Sequence, residues 1–176
     1  MGFGDLRTWL DKFEAAGELK RVTAEVDWNS EIGTIARRSF TTKGPALLFE
    51  KPKGSNVPLL INAFASEKRM QIALEVDSIE EIAGRIAEFL QMKMPEGIVG
   101  KLKMLPMLAE VGAFFPKIVK DGPCKEVIRK GDFTLDDFPI LHCWPDDGGR
   151  YITLPMVFSK NPDTGKRNCG CYRMQV

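Results

Sequence analysis

Residues 151–176 constrain the fold of this chain most. Tyr151 to Lys160 is strand-like, and Arg167 to Val176 is a second strand-like run. Asn161-Pro162-Asp163-Thr164-Gly165 links them. Proline presets φ, Asn and Asp bond back to nearby backbone, and glycine accepts a left-handed conformation. Two such runs around such a loop predict a β-hairpin. The second strand is oddly polar, carrying Asn168, Tyr172 and Arg173 among two cysteines, and it runs out on Met174-Gln175-Val176. The expectation is the N-terminal part of a larger enzyme, divided within its site.

The preceding residues alternate helices and short strands. Leu6, Trp9, Leu10 and Phe13 share a helical face, with Asp5 to cap its start and Gly17 to end it. Glu18–Val26 reads as a strand. Asp27, Asn29 or Ser30 can cap a second helix with Ile32, Ile35, Ala36 and Phe40 as its buried stripe. Short strands follow at Ala46–Glu50 and Pro58–Asn62. Ser66 caps a third helix; Ser78 with Glu81 forms a capping box for a fourth, with Ile79, Ile82, Ile86 and Phe89 or Leu90 facing inward. Prolines punctuate residues 93–122, where a helix is expected around Leu105–Phe115. Cys124–Ile128 resembles a strand, and Gly131–Phe138 a turn with a short helical or extended piece. The predicted fold is an α/β (α+β) domain over residues 1–120, followed by the start of a β-rich, barrel-like domain over 121–176.

Composition narrows function mainly by exclusion. A net charge of +1 supplies no electrostatic footprint for nucleic acid or an anionic membrane. The cysteines at 124, 143, 169 and 171 form no C-x-x-C pair, and a single histidine leaves no zinc pattern. No signal-like opening or membrane-length apolar run is present, so free thiols and a cytoplasmic location are expected.

Few residues offer chemistry. Arg173 sits in a strand that otherwise alternates towards a core, so it must be ion-paired or bind an anion such as a carboxylate or phosphate; both remain open. Asn168 can ligate a hard cation through its oxygen, but an Asn beside a turn is more often a turn residue. Cys169 and Cys171 share a strand face and read as small hydrophobes rather than a redox pair. His142, between Leu141 and Cys143, reads as a hydrogen-bonded structural histidine. The punctuated run 139–155 reads as a loop feeding a strand, with Trp144 covering the barrel end.

Three blocks add a family resemblance: Gly122-Pro123-Cys124-Lys125-Glu126-Val127, the run from Pro139-Ile140-Leu141-His142-Cys143-Trp144-Pro145 to Pro155, and the run from Asn161 to Val176. In this order they closely resemble the UbiD family of reversible, non-oxidative decarboxylases. Leu6-Arg7-Thr8-Trp9-Leu10 with Gly17-Glu18-Leu19 resembles the family's start. The resemblance implies an N-terminal α/β domain, a split β-barrel and a C-terminal domain for homo-oligomerisation. It implies prenylated FMN made by a flavin prenyltransferase, a divalent metal (usually Mn2+) and K+. Its substrates are aromatic or α,β-unsaturated carboxylic acids. Polyprenyl-hydroxybenzoate of ubiquinone biosynthesis and simple phenolic acids both remain open, and a polyprenylated substrate would place the enzyme peripherally at a membrane.

By the same resemblance, Asn168 matches a metal ligand at the cofactor phosphate, and Cys171, Tyr172 and Arg173 match the cofactor-lining segment. Arg173 matches the arginine beside the substrate carboxylate, and Thr153 or its neighbours line the pocket. His142 does not match the metal-binding histidine; the family's His and Glu ligands and catalytic acids are expected beyond Val176, leaving these residues inactive alone. The rival readings are an accessory or scaffold subunit docking to a decarboxylase, and a plain flavin-binding module. Residues 168 and 173 face opposite sides of an unbroken strand. A shared site therefore predicts a bulge at Gly170, or Asn168 lying before the strand.

Overall fold

The computed structural model describes residues 3–91 and 117–176, with residues 109, 112, 113 and 115 between them. The chain divides into two compact units, Met1–Glu75 with Phe133–Val176, and Val76–Asp132.

The first unit begins with helix α1 (Leu6–Ala15), whose N-cap Asp5 Oδ1 accepts the Thr8 N–H at 2.7 Å. Leu10 and Phe13 are buried, and the Trp9 ring lies against Phe13 with centroids 4.6 Å apart. Gly17 turns the chain at φ +72° into strand β1 (Leu19–Val26). Helix α2 (Glu31–Thr41) then leads to β2 (Ala46–Pro52), which pairs parallel with β1; β3 (Leu59–Ile61) pairs antiparallel with β2. The order β1-β2-β3 makes β2 central, which explains its unbroken apolar run: Ala46, Leu47, Leu48 and Phe49 are all buried. Val26, Ile32, Leu47, Phe49 and Leu141 form the core cluster, with Trp28, Ile35, Ile61 and Cys143 packed around it.

Helix α3 (Glu67–Leu74) is capped by Ser66, whose Oγ accepts the Arg69 N–H at 3.2 Å. Its Arg69 is 1% exposed. The guanidinium donates to Glu18 Oε2 at 2.8 Å and to the Gly44 carbonyl at 3.1 Å. Glu18 and Gly44 precede β1 and β2, so one buried cation ties the starts of both parallel strands. Burial is tolerable because the charge is paired and hydrogen-bonded.

The rest of this unit follows the predicted hairpin. A 3-10 turn (Leu135–Asp137) precedes short strand β4 (Tyr151–Ile152), then β5 (Met156–Lys160), β6 (Arg167–Cys171) and β7 (Met174–Gln175). β5 pairs antiparallel with β6, and β4 with β7. In the linking loop Asn161 Oδ1 accepts the Asp163 and Thr164 N–H groups, and Gly165 takes φ +70°. These two-stranded pieces accompany a mixed α/β fold, without a closed barrel among the described residues.

In the second unit, helix α4 (Ile79–Gln91) starts with Glu81 Oε1 accepting the Ser78 N–H at 3.0 Å, one half of the expected capping box. A 3-10 turn spans Pro123–Lys125.

Four expectations are corrected. Cys124–Ile128 is not a strand: Pro123 opens a 3-10 turn, and among the described residues no strand pairs with the segment. Phe40 is 59% exposed, because it lies at the end of α2 beside an open groove. On α4, Ile86, Phe89 and Leu90 are exposed and no residue of the helix is buried. The helical period marks a face able to be buried without supplying the covering surface. The two closing strands are each split in two. The helix expected over 105–115 lies mostly outside the described residues. No helix among the described residues is long and apolar enough to cross a membrane.

Candidate functional site

The β5–β6 ladder is regular from Lys160↔Arg167 to Met156↔Cys171. Same-face residues alternate along it. Met156, Phe158, Cys169 and Cys171 occupy one face, all exposed, so the two cysteines do share a side. Asn168 and Gly170 occupy the other. A Cβ on Gly170 would sit 2.4 Å from the Tyr172 ring, so that ring folds back over the Asn168 side.

After Cys171 the ladder breaks. Pairing resumes at Ile152↔Met174 and Tyr151↔Gln175. Thr153, Leu154 and Pro155 therefore stand against Tyr172 and Arg173 alone. The extra residue lies on the first strand, with Leu154 at φ +53°. The bulge expected at Gly170 is absent, and Asn168 lies inside β6 rather than before it. The irregularity comes after Cys171, opposite Tyr172 and Arg173, and its extra residue is on the partner strand, where Pro155 has no N–H to donate to the ladder. Neither feature that would bring Asn168 and Arg173 to one side is therefore present, and the extra residue on the partner strand inserts nothing between them.

Arg173 is 64% exposed at its side chain. Its guanidinium lies 4.2 Å from the Tyr151 ring centroid, and Nη1 is 4.0 Å from the Asp147 carboxylate. Asp147 belongs to the punctuated loop, which is strapped to the closing strand. Gln175 Nε2 donates to the Gly148 carbonyl at 2.6 Å, and the Val176 N–H to the Arg150 carbonyl at 2.9 Å. Arg150 in turn pairs with Asp136 and lies over the Trp28 ring.

His142 is held at both ring nitrogens, by Asn29 Oδ1 at 2.9 Å and the Asp147 carbonyl at 3.3 Å. Its carbonyl accepts the Ser30 N–H at 2.8 Å, where α2 begins. It is the structural histidine expected, joining the loop to the helix start.

Cys143 and Trp144 line a groove of about 450 Å3 with Gly33, Ala36, Arg37, Phe40, Thr41, Ile61 and Asn62. Trp144 is half exposed and lies under the Arg37 guanidinium at 5.5 Å. Burial, then the Asp147 charge, pushes the Cys143 thiol above its usual range. All four cysteines are free.

Asn168 and Tyr172 thus share one side of the hairpin, Cys171 lies on the other, and Arg173 is placed by β4 and the 144–150 loop. Thr153 stands opposite the break. Sequence reasoning missed Asp147 and Tyr151 as neighbours of Arg173; no local spacing connects residues joined across a ladder. Among the described residues no cluster of three or more His, Cys, Asp or Glu can hold a metal. Asn168 supplies one neutral oxygen, which does not make a metal site alone. The Tyr172 ring packs over side-chain-free Gly170.

The family model described as the 3-octaprenyl-4-hydroxybenzoate carboxy-lyase N-terminal domain matches residues 10–86, and the Rift-related domain of the same carboxy-lyase matches 117–176. An uncharacterized protein of Archaeoglobus fulgidus is 46% identical over all of this chain, which covers 36% of that protein. One of Aquifex aeolicus is 40% identical over 99% of the chain, again covering 36% of the relative. The chain thus spans about a third of the length of these relatives. Among solved structures, an evolved dimeric form of the UbiD-class enzyme HmfF from Pelotomaculum thermopropionicum, in complex with prFMN, is similar at TM-score 0.74 and 28% identity, over 99% of this chain and 36% of that one. Vanillic acid decarboxylase of Sedimentibacter hydroxybenzoicus in open form is similar at TM-score 0.75 and 26% identity, over 100% and 35%.

Proposed function

Since the chain belongs to the UbiD carboxy-lyase family, we propose that it forms the N-terminal α/β domain and one wall of the site of a reversible, non-oxidative decarboxylase. The substrates in this reading are aromatic or α,β-unsaturated carboxylic acids. The domain boundary falls near residue 120, and residues 121–176 begin a split β-barrel completed by further chain in a homo-oligomer. The cofactor is prenylated FMN from a flavin prenyltransferase, with Mn2+ and K+.

Arg173 carries the reading. Its fork of donors stands exposed at the one break in the closing ladder, where it can meet a carboxylate bidentately. Holding the carboxylate fixes the bond to be cleaved relative to the cofactor. The bound flavin would supply the electron sink that loss of carbon dioxide requires. Tyr172 would line the cofactor from the Asn168 side and Cys171, whose side chain is on the other face of β6, through its backbone, while Asn168 would contribute one oxygen to the metal. Thr153 would border the pocket opposite Arg173. Acid-base steps fall to residues outside this chain, so residues 1–176 alone are inactive.

The test is carbon dioxide exchange by the isolated 176-residue chain with prenylated flavin, Mn2+ and an aromatic acid, beside the same assay on a protein extended to the length of its relatives. Exchange is expected only from the longer protein. Turnover by the short chain, or none by the longer one with any aromatic or unsaturated acid, would overturn the proposal.

A further inference from the structure

The surroundings of Arg173 describe a side chain that is already occupied. Tyr151 lies beneath the guanidinium at 4.2 Å, and the Asp147 carboxylate approaches Nη1 at 4.0 Å. Asp147 is largely buried, with 19% of its side chain exposed, whereas Arg173 is 64% exposed. The arginine is therefore the solvent-facing partner and the acid the enclosed one, fixed by its loop.

Its fixation has visible causes. The Asp147 N–H donates to the Trp144 carbonyl at 3.1 Å, and its carbonyl meets His142 Nε2 at 3.3 Å. The next carbonyl, Gly148, is held by Gln175, and Gln175 pairs with Tyr151 across β4–β7. Acid, ring and arginine thus hang on one short ladder. A guanidinium stacked on an aromatic face keeps its edge donors available. At 4.0 Å the Asp147 contact is a loose ion pair, weak enough to exchange.

We propose that Asp147 and Tyr151 are positioning residues forming a resting station for Arg173. Tyr151 keeps the guanidinium in place, and Asp147 supplies a carboxylate that an incoming substrate carboxylate must displace. Asp147 then sets how strongly the site takes an acid, weakening affinity while keeping the empty arginine paired. This rests on the reading of Arg173 as the carboxylate-binding residue.

The experiment is NMR on the protein extended to the length of its relatives, labelled with 15N at arginine and 13C at aspartate and titrated with benzoate. In the unliganded chain the Arg173 Nε–H proton is expected upfield, shifted by the Tyr151 ring. Benzoate is expected to move both that signal and the Asp147 carboxyl carbon. Asp147→Asn is expected to bind benzoate about two- to fivefold more tightly, the range for a partly exposed ion pair. Tyr151→Leu is expected to abolish the upfield shift, and Tyr151→Phe to preserve it. An unshifted Arg173 proton in the unmodified chain overturns the station. Equal affinity in the unmodified chain and Asp147→Asn, or an Asp147 carbon indifferent to benzoate while Arg173 responds, overturns the displacement alone. If Arg173 ignores benzoate in every variant, the carboxylate-binding reading falls and this inference with it. The carbon measurement needs no substitution, so misfolding of a variant cannot rescue the idea.

Discussion

A Cβ at Gly33 would lie 2.7 Å from the Cys143 carbonyl oxygen. The obstacle is backbone on a segment pinned to the start of α2 by the Ser30–His142 bond, so it has little room to retreat. Gly33→Ala gains helix propensity, usually under about 1 kcal/mol. Forcing two backbones apart costs about 1–3 kcal/mol. The close approach wins, and chemical denaturation is expected to show net loss of stability for Gly33→Ala. A control at Gly84, where a Cβ meets nothing within 4 Å, is expected to stabilise. From sequence, Gly33 looks like a weak point in a helix; only the contact with Cys143, far along the chain, explains it. Arg69 is similar. No local pattern marks it for burial, yet it is fully buried against Glu18 and the Gly44 carbonyl.

At the level of elements, the closing hairpin was legible from its loop and alternation, and its break was not. Leu154 takes φ +53°, a left-handed conformation costly for a side chain with a Cβ, and it is 71% exposed. Leu154→Gly therefore loses little packing and relieves strain. It is expected to stabilise the folded chain by roughly 0.5–1 kcal/mol, read as a higher denaturation midpoint. Unchanged or lower stability would mean that the extra residue on this strand carries no strain. Helix starts were also readable where one residue suffices, as with Asp5 and Ser66. They were less so at α2, where Ser30 stands at the N-cap with φ +65° and its hydroxyl caps nothing. Its backbone N–H reaches His142 instead, a partner no local pattern specifies.

For the molecule as a whole, charge pairing sets the pH range of stability. Hydrogen bonds from the Thr8 backbone and hydroxyl lower the Asp5 pKa below 3.8. The Asn29 backbone, then Lys53, does the same for Asp27; Arg21 lowers Glu14 and Arg150 lowers Asp136. A depressed carboxyl pKa contributes stability above its unfolded value and loses it as pH falls through the folded value. Lys53 is raised above 10.5 by Asp27, and Cys143 above 9.0 by burial. Raised values contribute below the unfolded pKa and lose it as pH rises through the folded one. Stability measured by denaturant midpoint is expected to be flat from about pH 5 to 8, falling below about pH 4 and above about pH 9. Asp5, Glu14 and Asp136 are solvent-exposed and Asp27 is half-buried, so added salt is expected to blunt the acid limb.

Legible in the amino-acid sequence were the alternation of helices and strands up to Leu74, the hairpin loop and, through long motif blocks, the family. These depend on period, turn chemistry and local capping, which act over a few residues. Only the fold shows that the strand pairing breaks at Thr153–Pro155 and that Arg173 rests on Tyr151 beside Asp147. The reason is physical: a one-residue offset between paired strands changes which side a residue serves, and that offset belongs to the pair, not to either strand.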